Sequence, residues 1–135
     1  MNKSLRPLIQ ISWLLRLTYG LYWGIIGIDK FFGLLTESEN RVGGATLALM
    51  PLSLKSLLQT VGVIEIFIAF LILTKWPKLG TLLGIFLMAL IFINLIMMRN
   101  HFDIAVHGAA ICCGMIAFLA LSFLLDKMSI SSRDK

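Results

Sequence analysis

Two charged residues interrupt long apolar stretches of the chain, Arg16 in the first and Glu65 in the second. A charge in the middle of a bilayer costs about 2.5–3.5 kcal/mol on insertion scales, so each should have a partner. Arg16 lies nine residues after Pro7 and Glu65 nine residues before Thr74, which places both about 13 Å from the same side. We therefore predict that Arg16 and Glu65 pair. The pair either fixes helix packing, which we favour, or lines a pocket that binds a quinone-like or anionic headgroup or relays a proton.

A second group of polar residues lies near the opposite ends of the spans, and it predicts an outward-facing polar pocket. Its members are Lys30, Asn94, Asp103 and His107. A histidine beside a carboxylate can accept a proton or bind a metal. These residues lack the fixed spacing of metal sites, so we predict no metal and favour a satisfied interfacial histidine. No nucleophile–base pair or cofactor motif indicates a catalytic residue or intrinsic catalytic activity.

Adjacent cysteines in the last apolar stretch, Cys112 and Cys113, do not indicate a redox pair. Neighbours on a helix point about 100° apart, so a disulfide between them would break the helix. An apolar setting also lowers thiol reactivity. We interpret both as small packing residues.

The composition indicates an integral membrane protein. Of the 135 residues, 59% are hydrophobic and only 14% charged, and the mean hydropathy is +0.92. A span needs about 20 apolar residues, and four candidates run over about 7–28, 57–74, 79–98 and 104–125. The runs are continuously apolar rather than alternating, which excludes barrel strands. The chain 1–135 is predicted to be one all-α domain, a membrane-spanning four-helix bundle.

The connections between the spans differ in length. The first span is expected to end at Asp29-Lys30, and Phe31–Ser56 is a longer loop with a short surface helix predicted over Ala45–Met50. A loop of this length is more often functional than a mere connector. Ser53 is a predicted N-cap of the second helix. Lys75-Trp76-Pro77-Lys78 forms a tight turn before the third span.

Small residues follow the charged ones on two helical faces. Gly20, Gly24 and Gly27 recur at helical spacing from Arg16, and Gly62 precedes Glu65 on the second span. Membrane helices associate through such small-residue stripes because their backbones can approach closely. We predict that these four glycines are helix-packing positions.

The basic residues predict the orientation. Seven of them fall on the side that holds both termini and four on the other, so both termini should be cytoplasmic in an inner (plasma) membrane. The seven are Lys3, Arg6, Lys75, Lys78, Lys127, Arg133 and Lys135, and the four are Lys30, Arg41, Lys55 and Arg99. This bias accounts for the net charge of +5, and no basic–aromatic patch indicates nucleic acid. The expected partners are the lipid bilayer and other membrane proteins or a second copy.

Two short motifs have counterparts in a known family. They comprise Arg16, Gly20, Gly27, Lys30 and Gly33, from the first span to the start of the first loop, and Gly62-Val-Ile-Glu65 in the second span. With them the chain resembles the DoxX-like family of small four-helix integral membrane proteins. The resemblance implies a bacterial membrane bundle, associated in some members with quinone-linked sulfur or oxidative-stress systems. The fourth span ends in Leu121-Ser-Phe-Leu-Leu-Asp-Lys, where many members carry a G-x-G-R-W-S-like segment.

Three classes of function fit these observations. The first, which we favour, is a small accessory or scaffold subunit of a membrane complex. The second is a quinone-linked redox or oxidative-stress component with a pocket near Arg16 and Glu65. The third is a carrier of a small solute or lipid, although transport usually needs more helices or broken spans.

Overall fold

The computed structural model describes residues 5–33, 53–97 and 102–131. These residues form four α-helices and no strands, which confirms the all-α prediction. The helices are α1 Leu5–Phe32, α2 Leu54–Leu73, α3 Pro77–Met97 and α4 Phe102–Ser131. The predicted surface helix at Ala45–Met50 lies outside the described residues.

Local chemistry explains where several helices begin and end. The Ser53 side chain accepts a hydrogen bond from the Ser56 backbone N–H at 3.2 Å, so the predicted N-cap of α2 is confirmed. Gly33 follows α1 with a φ of +62°, and its N–H donates to the Asp29 carbonyl at 2.6 Å. The left-handed conformation ends the helix. Glycine suits this position because a residue with a Cβ rarely adopts that conformation. Pro77 begins α3, where its missing N–H costs nothing.

The first helix does not end at Asp29-Lys30, where the apolar run stops. α1 continues through both residues to Phe32. Asp29 is buried and Lys30 is mostly buried, so both side chains lie against the bundle rather than in a loop. Charges mark the end of a hydropathy signal, but a charged residue is compatible with a helix and does not end one.

The helices pack in chain order around one core. The most extensive contact is between α1 and α2. The contacts of α3 with α4 and with α2 are smaller, and a still smaller contact between α4 and α1 closes the ring. The short turn 74–76 makes α2 and α3 antiparallel neighbours. The central core consists of Trp23, Ile68, Ala69, Ile72, Met88 and Met115.

The outer surface of the bundle is apolar. Large hydrophobic side chains are exposed along every helix, among them Leu21 on α1, Phe70 on α2, Phe86 on α3 and Phe123 on α4. A water-soluble protein rarely exposes so continuous an apolar surface. All four described helices are long and apolar enough to cross a bilayer. The chain is therefore a multi-pass membrane protein in which lipid covers these faces.

Candidate functional site

The backbones of α1 and α2 approach each other closely at two glycines. A Cβ placed on Gly27 would lie 2.8 Å from the Gly62 carbonyl oxygen, and a Cβ on Gly62 would lie 2.8 Å from the Gly27 carbonyl oxygen. Both backbones therefore occupy the space that a side chain would need. This crossing sets the register of the antiparallel pair, because no larger residue fits at either position.

An ion pair spans the two helices next to this crossing. Lys30 Nζ lies 3.0 Å from Glu65 Oε2, and the two side chains are 12% and 1% exposed. The geometry is that of an ion pair without a well-aligned hydrogen bond. The two residues occupy equivalent places, since each follows its glycine, Gly27 or Gly62, by three positions.

The direction of helical side chains explains how the two charges meet. Lys30 and Glu65 are offset by six residues along the antiparallel pair, about 9 Å at the helical rise. Helical side chains lean toward the N-terminus of their own helix, so in antiparallel helices these two lean toward each other. The stem of Lys30 passes beside Gly62, where a built Cβ would lie 3.1 Å from the Lys30 Cβ. Gly62 thus leaves the space that the lysine crosses.

Arg16 binds the backbone at the end of α2. Its Nε donates to the Ile72 carbonyl at 2.6 Å, and its Nη2 donates to the Leu73 carbonyl at 2.9 Å. These carbonyls belong to the last turn of α2, where no later residue of the helix can donate to them. The positive guanidinium also complements the negative end of the helix dipole. It lies over the Trp13 ring, 4.7 Å from the ring centroid.

The predicted pairing of Arg16 with Glu65 is wrong. The prediction assumed that the start of α1 and the end of α2 lie in the same plane. However, α1 has 28 residues and α2 has only 20. The glycine crossing decides the true register: Gly27 follows Arg16 by eleven residues, and Leu73 follows Gly62 by eleven. Arg16 is therefore level with the end of α2, and Glu65 lies about two helical turns deeper.

The other glycines of the α1 stripe lie against the second half of α2. A Cβ on Gly24 would lie 3.7 Å from the Ala69 Cβ, an ordinary contact. A Cβ on Gly20 would lie 2.5 Å from the Leu73 side chain, which is flexible and able to rotate away. Of these three glycines, only Gly27 lies directly against the backbone of α2.

The predicted outer pocket is not assembled around Lys30, because Lys30 turns into the bundle toward Glu65. Asn94 is half-buried near the end of α3, and His107 is exposed on the second turn of α4; both make interactions of their own. Asp103 lies in the first turn of α4, but its side chain is outside the described residues. In the described part of the chain, no three His, Cys, Asp or Glu side chains come together as a metal would require.

Trp23 is a buried residue whose role the sequence did not reveal. Its side chain is 1% exposed in the central core, and its indole N–H has no hydrogen-bond acceptor among the described residues. A Cβ on Gly84 would lie 3.1 Å from that nitrogen and 2.5 Å from the Met115 methyl. Gly84 thus makes room for the indole where α1, α3 and α4 meet.

A signal for the Lys30–Glu65 pair was present in the sequence. Gly27 and Lys30 form a G-x-x-K pattern, and Gly62 and Glu65 form a G-x-x-E pattern. Residues three apart lie on one helical face. Two antiparallel helices that cross at their glycines must therefore present these opposite charges to each other.

Comparison of the chain with models of known families, with curated proteins and with solved structures found no match. The arrangement of the charges at the α1–α2 interface therefore carries the functional argument. Arg16 binds the backbone at the end of α2, and Glu65 pairs with Lys30, both within the α1–α2 interface. Neither residue has the open, convergent setting of a catalytic group.

Proposed function

We propose that this protein is a small accessory or scaffold subunit of a membrane complex. The observation that supports this proposal is how the two charges that interrupt the apolar stretches, Arg16 and Glu65, are used. Arg16 donates hydrogen bonds to the carbonyls of Ile72 and Leu73, and Glu65 forms an ion pair with Lys30. Both charges thus hold α1 against α2, and a bundle whose charges serve its own packing acts by presenting its outer faces.

The proposal includes the membrane and the orientation. The basic residues favour cytoplasmic termini, as the positive-inside rule predicts. The inner (plasma) membrane of a bacterium is the location that the resemblance to the DoxX-like family implies. Membership in the DoxX-like family is part of the same proposal and rests on the short motifs around Arg16 and Glu65.

The alternative of a quinone pocket formed by Arg16 and Glu65 loses its geometric basis. The carbonyls that Arg16 binds lie seven and eight residues from Glu65 along α2, which is about 10–12 Å. A single headgroup cannot contact both charges at that separation without breaking their present contacts. Stoichiometric quinone in the purified protein would nevertheless restore the redox alternative.

The test is purification of the full chain from native membranes in mild detergent, with quantitative mass spectrometry of proteins, lipids and quinones. We expect a protein partner at fixed stoichiometry. Absence of any such partner, or stoichiometric bound quinone or solute without a partner, would contradict the proposal.

Paired substitutions on exposed faces locate the surface that binds the partner. Each pair changes two exposed apolar side chains to alanine on one helix, and the pairs are Leu21 with Ile25, Leu82 with Phe86, and Ile116 with Leu124. Lipid-facing side chains should tolerate truncation, whereas a partner-facing pair should release the partner without changing the melting temperature. We expect one pair, or replacement of the loop Thr36–Arg41, to release it. Retention of the partner in every variant would contradict a scaffold role for these surfaces.

A further inference from the structure

A cleft opens where the α2–α3 turn meets the last part of α4. Its volume is about 560 Å³. The turn and the first residues of α3 form one wall, and α4 forms the other. The lining residues are Lys75, Trp76, Pro77, Lys78, Leu79 and Asp126. This end of the bundle lies where the spans leave the hydrocarbon core, at the level of lipid headgroups.

The charges in the cleft favour an anion. Two lysines, Lys75 and Lys78, face a single carboxylate, Asp126. Lys78 Nζ forms an ion pair with Asp126 and lies over the Phe123 ring, 4.5 Å from its centroid. These contacts hold the ammonium at the cleft. The pair is partly exposed to solvent, and exposed pairs contribute only about 0–1 kcal/mol. Lys78 can therefore share its charge with a second anion at little cost.

Both helix ends at this turn are compatible with an anion. α3 begins at Pro77, and its first intrahelical bond runs from the Gly80 N–H to the Trp76 carbonyl at 3.0 Å. The N–H groups before Gly80 belong to the positive end of α3. The negative end of α2 would repel an anion, but Arg16 already covers two of its last carbonyls.

Apolar side chains flank the charged lining. Trp76 is 64% exposed, and Leu79 and Phe123 are also exposed. Tryptophan is enriched at the membrane–water interface because its ring is amphipathic. A soluble anion would gain nothing from these three side chains, whereas a lipid carries an acyl chain next to its phosphate.

We propose that the cleft binds the headgroup phosphate of an anionic phospholipid through Lys75 and Lys78, with the acyl chain along Trp76, Leu79 and Phe123. Asp126 orients Lys78 and limits the positive charge of the cleft. This inference is independent of the accessory role, since a lipid can occupy the cleft whatever protein binds the outer faces.

The test is quenching of Trp76 fluorescence in vesicles of phosphatidylcholine. The quencher is a doxyl label carried either by phosphatidylglycerol or by phosphatidylcholine at the same mole fraction. The chain has three tryptophans, and Trp23 is buried, so Trp13→Phe leaves Trp76 as the exposed reporter. We expect the phosphatidylglycerol label to quench several-fold more strongly than the phosphatidylcholine label.

Charge variants in the same background decide the assignment. Each basic residue near an anionic surface contributes about 1 kcal/mol, so Lys75→Ala should lower the preference for phosphatidylglycerol about fivefold. Lys78→Ala should do the same, and Asp126→Asn should raise the preference. The matched control is Lys127→Ala, an exposed lysine of α4 at the same end of the bundle but outside the cleft lining, which should change the preference much less.

Three results would overturn the inference. Equal quenching by the two labels would show that the cleft does not select an anionic lipid. An equal loss in Lys127→Ala and Lys75→Ala would show general surface attraction only. An unchanged preference in both Lys75→Ala and Lys78→Ala would show that the two cleft lysines do not bind the headgroup. Lys75 is exposed, so its variant should fold and keep the test decisive.

Discussion

The two ends of the α1–α2 interface stabilise a charge in different ways. Near the glycine crossing, Glu65 is buried and balanced by the opposite charge of Lys30. At the other end, Arg16 is balanced by the neutral carbonyls of Ile72 and Leu73. Removal of one member therefore has different consequences. Loss of Lys30 leaves a buried carboxylate without a counter-charge, whereas loss of Arg16 leaves helix-end carbonyls that water and headgroups can reach.

Loss of Lys30 should have the largest effect on stability. Removing one partner of a buried ion pair typically costs about 3–5 kcal/mol, so Lys30→Met should strongly lower the free energy of unfolding. The double variant Lys30→Met with Glu65→Met should recover most of it, because no buried charge remains. Denaturant titration in mild detergent measures both. A double variant as unstable as the single one would show that the pair is not the cause.

Closing the glycine crossing should have an intermediate effect. Gly27→Ala places a methyl group 2.8 Å from the Gly62 carbonyl oxygen, which cannot rotate away. The helices must separate and weaken the ion pair, and overpacking of this kind costs about 1–3 kcal/mol. The same unfolding titration measures the loss.

Gly24→Ala is the matched control for the crossing, because it lies one turn away on the same face of α1. Its new Cβ would make an ordinary contact 3.7 Å from the Ala69 Cβ. Alanine also favours a helix over glycine by about 1 kcal/mol, so this variant should be neutral or stabilising. Equal destabilisation by the two substitutions would contradict the close approach at Gly27.

Replacement of Arg16 should have the smallest of the three effects. Arg16→Leu removes two hydrogen bonds and a favourable charge at the end of α2, worth about 1–2 kcal/mol. Arg16→Lys should retain the charge and lose the two-pronged contact, so its stability should fall between those of the wild type and Arg16→Leu. Unfolding in detergent ranks the three proteins.

Combining Arg16→Leu with Lys30→Met sharpens the comparison. The two residues are fourteen positions apart on α1 and share no partner. Their effects should therefore add to within about 0.5 kcal/mol. The effects of Lys30→Met and Glu65→Met, by contrast, should be far from additive. Strong coupling between Arg16 and Lys30 would mean that the two ends of the interface are not independent.

Local features of the chain were predictable because they depend on few residues. The all-α fold follows from runs of about 20 apolar residues, since lipid offers the backbone no hydrogen bonds and the helix satisfies them internally. The Ser53 cap was predictable because it involves only the residues up to Ser56. Each helix begins two or three residues before its predicted span, since hydropathy does not detect the polar first turn of a helix.

The partners of the intramembrane charges were not predictable from depth alone. Depth was counted from the ends of the apolar runs, but these are not the ends of the helices. α1 continues beyond Lys30 at its C-terminal end, and its N-terminal end extends about eleven residues past the end of α2. The glycine crossing, rather than the helix ends, sets the relative height of Arg16, Lys30 and Glu65.

The sequence by itself determined the class of this protein, its four helices and the residues that need a partner, because each of these follows from local polarity and the properties of lipid. Only the tertiary structure decided which partners meet. Sliding one helix past its neighbour by two turns leaves every local preference unchanged, yet it exchanges the residues that face each other. The backbone contact between Gly27 and Gly62 selects one register, in which Lys30 faces Glu65 and Arg16 covers the end of α2.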